Sequence, residues 1–208
     1  MLGKSEVVGL SGDPDQAYAA ELAERGFVTL APDALCFEDR CLDRSSPDCN
    51  HVHQLHVRLI RGETLLGKVL HDTSVGIDVL QKLDEVDSEK IGFIGHSYGG
   101  RTALFAPVFN QRIKASVCSC GSTNYRDMAG IQVDFVLPDV LRHGDIEDVV
   151  RLIDPASLLI IGCDQDKWSV GIEGMAEYAK SAFDHGLLDF KVYPGGHQFT
   201  AEMREHAY

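Results

Sequence analysis

Residues 91–101, Ile-Gly-Phe-Ile-Gly-His-Ser-Tyr-Gly-Gly-Arg, decide how this chain is interpreted. They place Ser97 in the pattern Gly-x-Ser-x-Gly, after a short apolar run and before a helix-forming stretch. This context is typical of a nucleophile elbow, a turn from strand to helix so tight that side chains at Gly95 and Gly99 would collide with neighbouring backbone. Such a strained turn exposes the serine hydroxyl above the sheet. We therefore predict that Ser97 is a nucleophile rather than part of a glycine-rich structural turn.

A serine hydroxyl needs a base to accept its proton and a third group to orient that base. In folds with this elbow, the acid and then the histidine follow the serine along the chain. Residues 188–193 predict a strand, and Gly195, Gly196 and His197 come soon after it. The two glycines allow the loop to bring an imidazole over Ser97, so we predict that His197 is the base. His96, which precedes the nucleophile, is expected to shape the elbow rather than to accept a proton.

Two aspartates compete for the role of the acid. Residues 157–162 predict a buried parallel strand, and Asp164 and Asp166 follow its carboxyl end. Catalytic groups of open α/β sheets lie at this edge. We favour Asp166, because residues 167–170 then lead into a helix, and Asp164 stays the alternative. Both could instead be loop carboxylates that cap the following helix.

Four stretches of the chain together resemble the α/β-hydrolase superfamily, in particular its dienelactone-hydrolase-like and acetyl-xylan-esterase-like branch. They are residues 17–33, the elbow, residues 162–166 and residues 195–199, and together they extend along almost the whole chain. The resemblance implies a single α/β-hydrolase domain over residues 1–208, with a parallel sheet flanked by helices. Dienelactone hydrolase proper carries cysteine in the elbow. Ser97 argues instead for a serine esterase or a related acyl hydrolase.

The resemblance also implies that the chain is incomplete at both ends. In the family, a strand precedes the helix expected at residues 15–25 and carries the loop that donates the second oxyanion-hole amide. Residues 2–6 resemble the far end of that loop, and the last helix, which normally runs longer, stops at Tyr208. We therefore expect a truncated chain that is marginally stable and weakly active, since one lost oxyanion donor typically costs about a hundred- to a thousandfold in rate.

Apolar periodicity predicts strands that alternate with helices, an arrangement that implies a parallel sheet. The predicted strands are residues 27–31, 91–95, 113–118, 157–162 and 188–193. The predicted helices are residues 15–25, 63–83, 102–110, 146–153, 171–184 and 200–208. We expect residues 33–56 to form a polar, irregular loop. Residues 121–144 are expected to be loop-rich and to cover the site.

The charge and the apolar content of the chain limit its partners. The 208 residues carry a formal net charge of −13, which argues against binding to nucleic acid or to an anionic membrane. No stretch approaches the ~20 apolar residues of a membrane helix. The N-terminus lacks the apolar core of a signal peptide, so we expect a cytoplasmic protein.

The six cysteines fall into two groups. Cys118, Cys120 and Cys163 lie in or beside predicted strands and are expected to be small buried apolar residues. Cys36, Cys41 and Cys49 precede a cluster of histidines, but their spacing matches no paired Cys-x-x-Cys pattern of a zinc site. We expect this second group to be scattered thiols in a solvated loop, with no disulfide framework.

These observations predict an enzyme that transfers an acyl group from a small-molecule ester to water. Ser97 attacks the carbonyl, His197 takes its proton, Asp166 orients the imidazole, and the Tyr98 amide is one oxyanion donor. No metal and no organic cofactor is expected, and the oligomeric state is left open. The alternatives are a peptidase or thioesterase with the same triad, or a non-catalytic hydrolase-like binding protein.

Overall fold

The computed structural model describes residues 3–46, 49–128 and 130–208, which fall into two compact units. The first unit contains the described residues up to Val86, together with residues 132–137 and Tyr208. The second contains the described residues of 87–131 and 138–207, and therefore the predicted nucleophile, acid and base. That the chain forms a single domain stays a prediction.

Helices make up the regular structure of the first unit. Helices α1 to α4 are Lys4–Val7, Tyr18–Glu24, His51–Ile60 and Leu65–Leu80. The long helix predicted at 63–83 is confirmed as α4, which begins after Thr64 because the Thr64 hydroxyl accepts a hydrogen bond from the Gly67 amide at 3.0 Å. No helix among the described residues combines the length and the apolar character that crossing a membrane requires.

Two predictions for the first unit are wrong. Residues 27–31 do not form a strand, and the side chains of Phe27, Val28 and Leu30 are largely exposed. A strand is stabilised by a neighbouring ladder, which these residues lack within the described chain. The expected irregular loop at 33–56 contains the first part of α3. Its first residue, His51, is buried: the ring packs edge-on against the Phe37 ring, 5.5 Å away, and Nε2 lies 3.2 Å from the Leu35 carbonyl oxygen.

The prediction of free thiols throughout the 36–56 region is also wrong. Cys41 and Cys49 form a disulfide, with their Cα atoms 5.1 Å apart. Consecutive turns bring them together, because the Ser46 amide donates to the Asp43 carbonyl and the Cys49 amide donates to the Ser46 carbonyl, each at 3.1 Å. Cys36 forms no disulfide and is fully buried.

The second unit is built on a parallel sheet of four strands. Strands β1 to β4 are Ile91–His96, Ile113–Ser119, Ser157–Cys163 and Leu188–Tyr193, and they lie in this order across the sheet. Helices α5 to α8 are Tyr98–Phe109, Ile146–Val150, Ile172–Lys180 and Ala201–Ala207. The predicted α/β class and four of the five predicted strands are confirmed. Since all four strands are parallel, their carboxyl ends meet at one edge of the sheet.

Helix α5 packs very closely against the sheet. Its residues 100–107 are all buried, and α5 contacts both β1 and β2. A methyl group at Gly100 would lie 2.3 Å from the carbonyl oxygen of Ser119, at the end of β2. Only glycine allows this approach, which fixes the start of α5 against the carboxyl edge of the sheet.

Candidate active site

Ser97 is the single residue between strand β1 and helix α5. Its backbone has φ 56° and ψ −110°, an uncommon conformation for a residue with a side chain. The Ser97 amide donates to the Ser119 carbonyl at 2.8 Å, which ties the turn to β2. A methyl group at Gly95 would lie only 2.2 Å from the carbonyl carbon of Gly99, so the turn tolerates no side chain there. The sequence motif therefore forms the tight strand-to-helix turn that it predicts.

His197 lies in the loop that follows β4. Its Nε2 atom is 2.7 Å from Ser97 Oγ, within hydrogen-bond distance, and its side chain is 35 % exposed. Gly195, two residues earlier, has a backbone φ of 119°, which residues with a side chain rarely adopt. This glycine lets the loop turn back over the end of the sheet. The imidazole is therefore both close to the hydroxyl and open to solvent on one side.

Asp166 lies beyond the end of β3 and contacts the other nitrogen of His197. Its Oδ1 atom is 3.1 Å from His197 Nδ1, and its side chain is only 1 % exposed. Burial by itself would raise the pKa of this carboxyl. Hydrogen bonds from Ser169 Oγ at 2.7 Å and from the Trp168 amide at 3.1 Å, together with His197, outweigh burial and hold the pKa below its usual value. The carboxylate is therefore kept ionised beside the imidazole.

Asp164, the alternative acid, makes contacts with the backbone of the loop. Its Oδ1 atom accepts a hydrogen bond from the Gly195 amide at 2.9 Å, and its own amide donates to the Tyr193 carbonyl at 2.9 Å. These bonds hold the start of the loop that carries His197. The structure thus brings Asp166 to the imidazole, whereas Asp164 fixes the backbone next to it.

Two buried residues, Ser169 and Cys120, lie near Asp166 although the sequence did not predict them to be part of the site; the prediction that Cys120 is buried is confirmed. The sequence could have indicated Ser169, because a hydroxyl three residues after an aspartate can donate a hydrogen bond to that carboxylate within a local turn. Cys120 gave no such signal, since it follows β2 and reaches the site only through the fold. It is fully buried, and its thiol donates to the Gln198 carbonyl at 3.4 Å.

One set of side chains at this edge has the atoms to hold a metal ion. The ligand atoms of Cys120, Asp166 and His197 all lie within 4.8 Å of one another. Burial raises the pKa of the Cys120 thiol far above its usual range, which favours the protonated thiol over the thiolate that metals bind. The expectation that the chemistry needs no metal stays a prediction.

The amide of Tyr98 lies directly beside the serine. Tyr98 is the first residue of α5, and the N-terminus of a helix carries a partial positive charge. The twelve residues of α5 align their dipoles along the helix, so its positive end lies at the residue that follows Ser97.

Comparison with known proteins agrees with this architecture. The family model described as "Dienelactone hydrolase family" matches residues 4–208. The chain belongs to the dienelactone hydrolase family. This membership confirms the resemblance seen in the sequence and supports an ester-hydrolase role. A candidate hydrolase of Bacillus subtilis (strain 168), YtaP, is 26 % identical over 218 residues, covering 99 % of this chain and 71 % of that protein.

Solved structures with the same fold are more distant in sequence. A candidate acetyl xylan esterase from Bacteroides fragilis superposes with a TM-score of 0.75 at 14 % identity, covering 91 % of this chain and 55 % of its own. A promiscuous CE15 esterase from a marine bacterial metagenome gives a TM-score of 0.55 at 18 % identity, covering 67 % of this chain and 47 % of its own. The chain thus spans about half the length of these structures, and the likeness shows the α/β-hydrolase fold alone.

Proposed function

We propose that this member of the family is a serine hydrolase that cleaves small-molecule carboxylic esters through an acyl-enzyme. The observation that carries the proposal is the chain of contacts at the carboxyl edge of the sheet. Ser97 Oγ lies 2.7 Å from His197 Nε2, and His197 Nδ1 lies 3.1 Å from Asp166. These are the distances and the order in which a nucleophile, its base and an orienting acid act together.

The first half of the reaction forms the acyl-enzyme. Ser97 Oγ attacks the ester carbonyl carbon while its proton passes to His197 Nε2. The carbonyl oxygen becomes an oxyanion next to the Tyr98 amide, where the N-terminus of α5 stabilises negative charge. The carbon–oxygen bond of the ester then breaks, and the alcohol leaves with the proton from His197. Asp166 stabilises the imidazolium that exists between these steps.

The second half of the reaction releases the acid. Water gives a proton to His197 Nε2 and attacks the acyl carbon, and the proton returns to Ser97 Oγ as the acyl–serine bond breaks. His197 is suited to activate water because its side chain is partly open to solvent. The low pKa of Asp166 keeps its charge available in both halves.

The test compares Ser97→Ala with the matched variant Ser157→Ala, whose serine lies at the start of β3 and therefore at the opposite edge of the sheet. We expect Ser97→Ala to lose hydrolysis of p-nitrophenyl acetate and covalent labelling by a fluorophosphonate probe, with an unchanged circular dichroism spectrum. Ser157→Ala should keep both activities. Ester turnover in Ser97→Ala equal to that of the unchanged protein would falsify the proposal.

A further inference from the structure

His96 makes contacts that a residue needed only for the turn would not require. It is the last residue of β1, and its Nδ1 atom lies 3.0 Å from the hydroxyl of Ser119, at the end of β2. Its ring centroid is 4.7 Å from that of His197, with an angle of 38° between the planes. It also stacks nearly parallel to the ring of Phe199, 5.7 Å away with an angle of 5°. The imidazole of His197 therefore lies against a ring that is itself held on two sides.

The ring of His96 is neutral at physiological pH. Burial, together with the positive charge that His197 can carry, lowers the pKa of His96 to about 4, although Asp166 acts in the opposite direction. A neutral ring can stay against His197 when that residue becomes an imidazolium, whereas a second cation would be repelled. The contact between the two rings is thus compatible with both protonation states of His197.

The contact with His96 adds to what holds His197, because the loop backbone is held at Gly195 by Asp164 whereas the His197 side chain itself is 35 % exposed. The bond to Asp166 fixes one ring nitrogen but leaves the ring able to tilt about that contact. A tilt of the ring moves Nε2 away from Ser97 Oγ.

We propose that His96 is a positioning residue, whose ring holds the His197 imidazole at the tilt that keeps Nε2 on Ser97 Oγ. The proposal rests on the proposed function, since the orientation matters only if His197 is the base. It assigns the effect to the ring of His96 and not to its hydrogen bond with Ser119. These two features can be separated by substitution.

Four variants make the separation. His96→Phe keeps a ring and loses the hydrogen bond, whereas His96→Asn keeps a polar group for Ser119 and loses the ring. His96→Leu keeps apolar volume beside Phe199 without a ring, and Ser119→Ala removes the hydrogen bond alone. We expect kcat to fall about ten- to a hundredfold in His96→Asn and His96→Leu, with KM for p-nitrophenyl acetate nearly unchanged, because a misplaced base slows chemistry and not binding. His96→Phe and Ser119→Ala should stay within about threefold of the unchanged protein, as a ring–ring contact is retained in both.

A second measurement reports on the His197 ring without using activity. In ¹⁵N-labelled protein at a pH where His197 is neutral, one fixed tautomer gives two well-separated imidazole nitrogen shifts. A ring that moves enough to loosen its bond to Asp166 can exchange between its two tautomers, and this exchange gives averaged shifts. We expect separated shifts in His96→Phe and averaged shifts in His96→Asn and His96→Leu, with thermal melting as the check on folding. Equal kcat in His96→Phe and His96→Leu, or unchanged His197 shifts in both His96→Asn and His96→Leu, would overturn the proposal. Full activity in Ser97→Ala would instead reject the proposed function, while the nitrogen shifts would still test the contact between the rings.

Discussion

Gly95→Ala is the sharpest perturbation of the elbow. A methyl group there would lie 2.2 Å from the carbonyl carbon and 2.3 Å from the carbonyl oxygen of Gly99, both of them backbone atoms that cannot rotate away. Ordinary contact begins at 3.4 Å. The start of α5 must therefore move by about 1 Å relative to β1, and a misplacement of this size typically costs about a hundredfold in rate. Ser97 sits between the two displaced elements, so its 2.7 Å contact with His197 is the first to open.

Gly92→Ala is the matched control, because it introduces the same methyl group into the same strand. Its nearest neighbour would be the Ala115 carbonyl oxygen at 3.6 Å, an ordinary contact. We expect kcat/KM for p-nitrophenyl acetate to fall about a hundredfold in Gly95→Ala and to change less than about threefold in Gly92→Ala. Circular dichroism and thermal melting verify that both variants are folded. If the folded Gly95→Ala variant hydrolyses the ester as fast as Gly92→Ala, the close approach at Gly95 does not position the nucleophile.

Three further substitutions probe the acid. Asp166→Asn should lower kcat/KM by about three to four orders of magnitude, because an amide cannot stabilise the imidazolium and has one acceptor fewer for the groups that donate to Asp166. Asp164→Asn should lower kcat/KM by less than about tenfold. The reverse ranking of the two variants would move the acid to Asp164. Ser169→Ala removes a hydrogen bond to the ionised carboxylate, so we expect a loss of about 1.5–3 kcal/mol in the free energy of unfolding at neutral pH. The pKa of Asp166 is lower in the folded state than its unfolded value of about 3.9, so the ionised carboxylate stabilises the fold above that pH. This stabilisation is lost as the pH falls through the folded-state pKa. The gap in melting temperature between Ser169→Ala and the unchanged protein should therefore narrow towards acid pH, and a gap that is constant with pH would contradict this assignment.

The sequence predicted the second unit of the chain well because the signals there are local. Apolar runs bounded by glycine, proline and polar residues correspond to β1 to β4, and the Gly-x-Ser-x-Gly pattern corresponds to the turn at Ser97. Parallel strands bring their carboxyl ends to one edge. Residues that follow different strands, such as Asp166 and His197, could therefore be expected to meet before any distance was known.

The first unit shows where local signals fail. Residues 27–31 have the composition of a strand, yet a strand depends on a partner that the local sequence does not specify. The helix at His51–Ile60 begins at the buried His51, whose contact with Phe37 lies outside the helix and could not be inferred from the local pattern. The disulfide between Cys41 and Cys49 depends on two turns whose closure brings the thiols together. Each of these features depends on packing between separate segments or on turns that reverse the direction of the chain.

By itself, the sequence determined the parallel α/β architecture, the strand-to-helix turn at Ser97, and the order in which Ser97, Asp166 and His197 follow strands of the sheet. Only the tertiary structure shows which of Asp164 and Asp166 contacts His197, because both follow the same strand and differ in the group that each carboxylate reaches. It also revealed the contact between His96 and His197, two residues far apart in the chain whose ring centroids lie 4.7 Å apart. The physical reason is that periodicity and turn chemistry act over a few residues, whereas hydrogen bonds and ring contacts between loops depend on atomic positions that only the complete packing of the sheet sets.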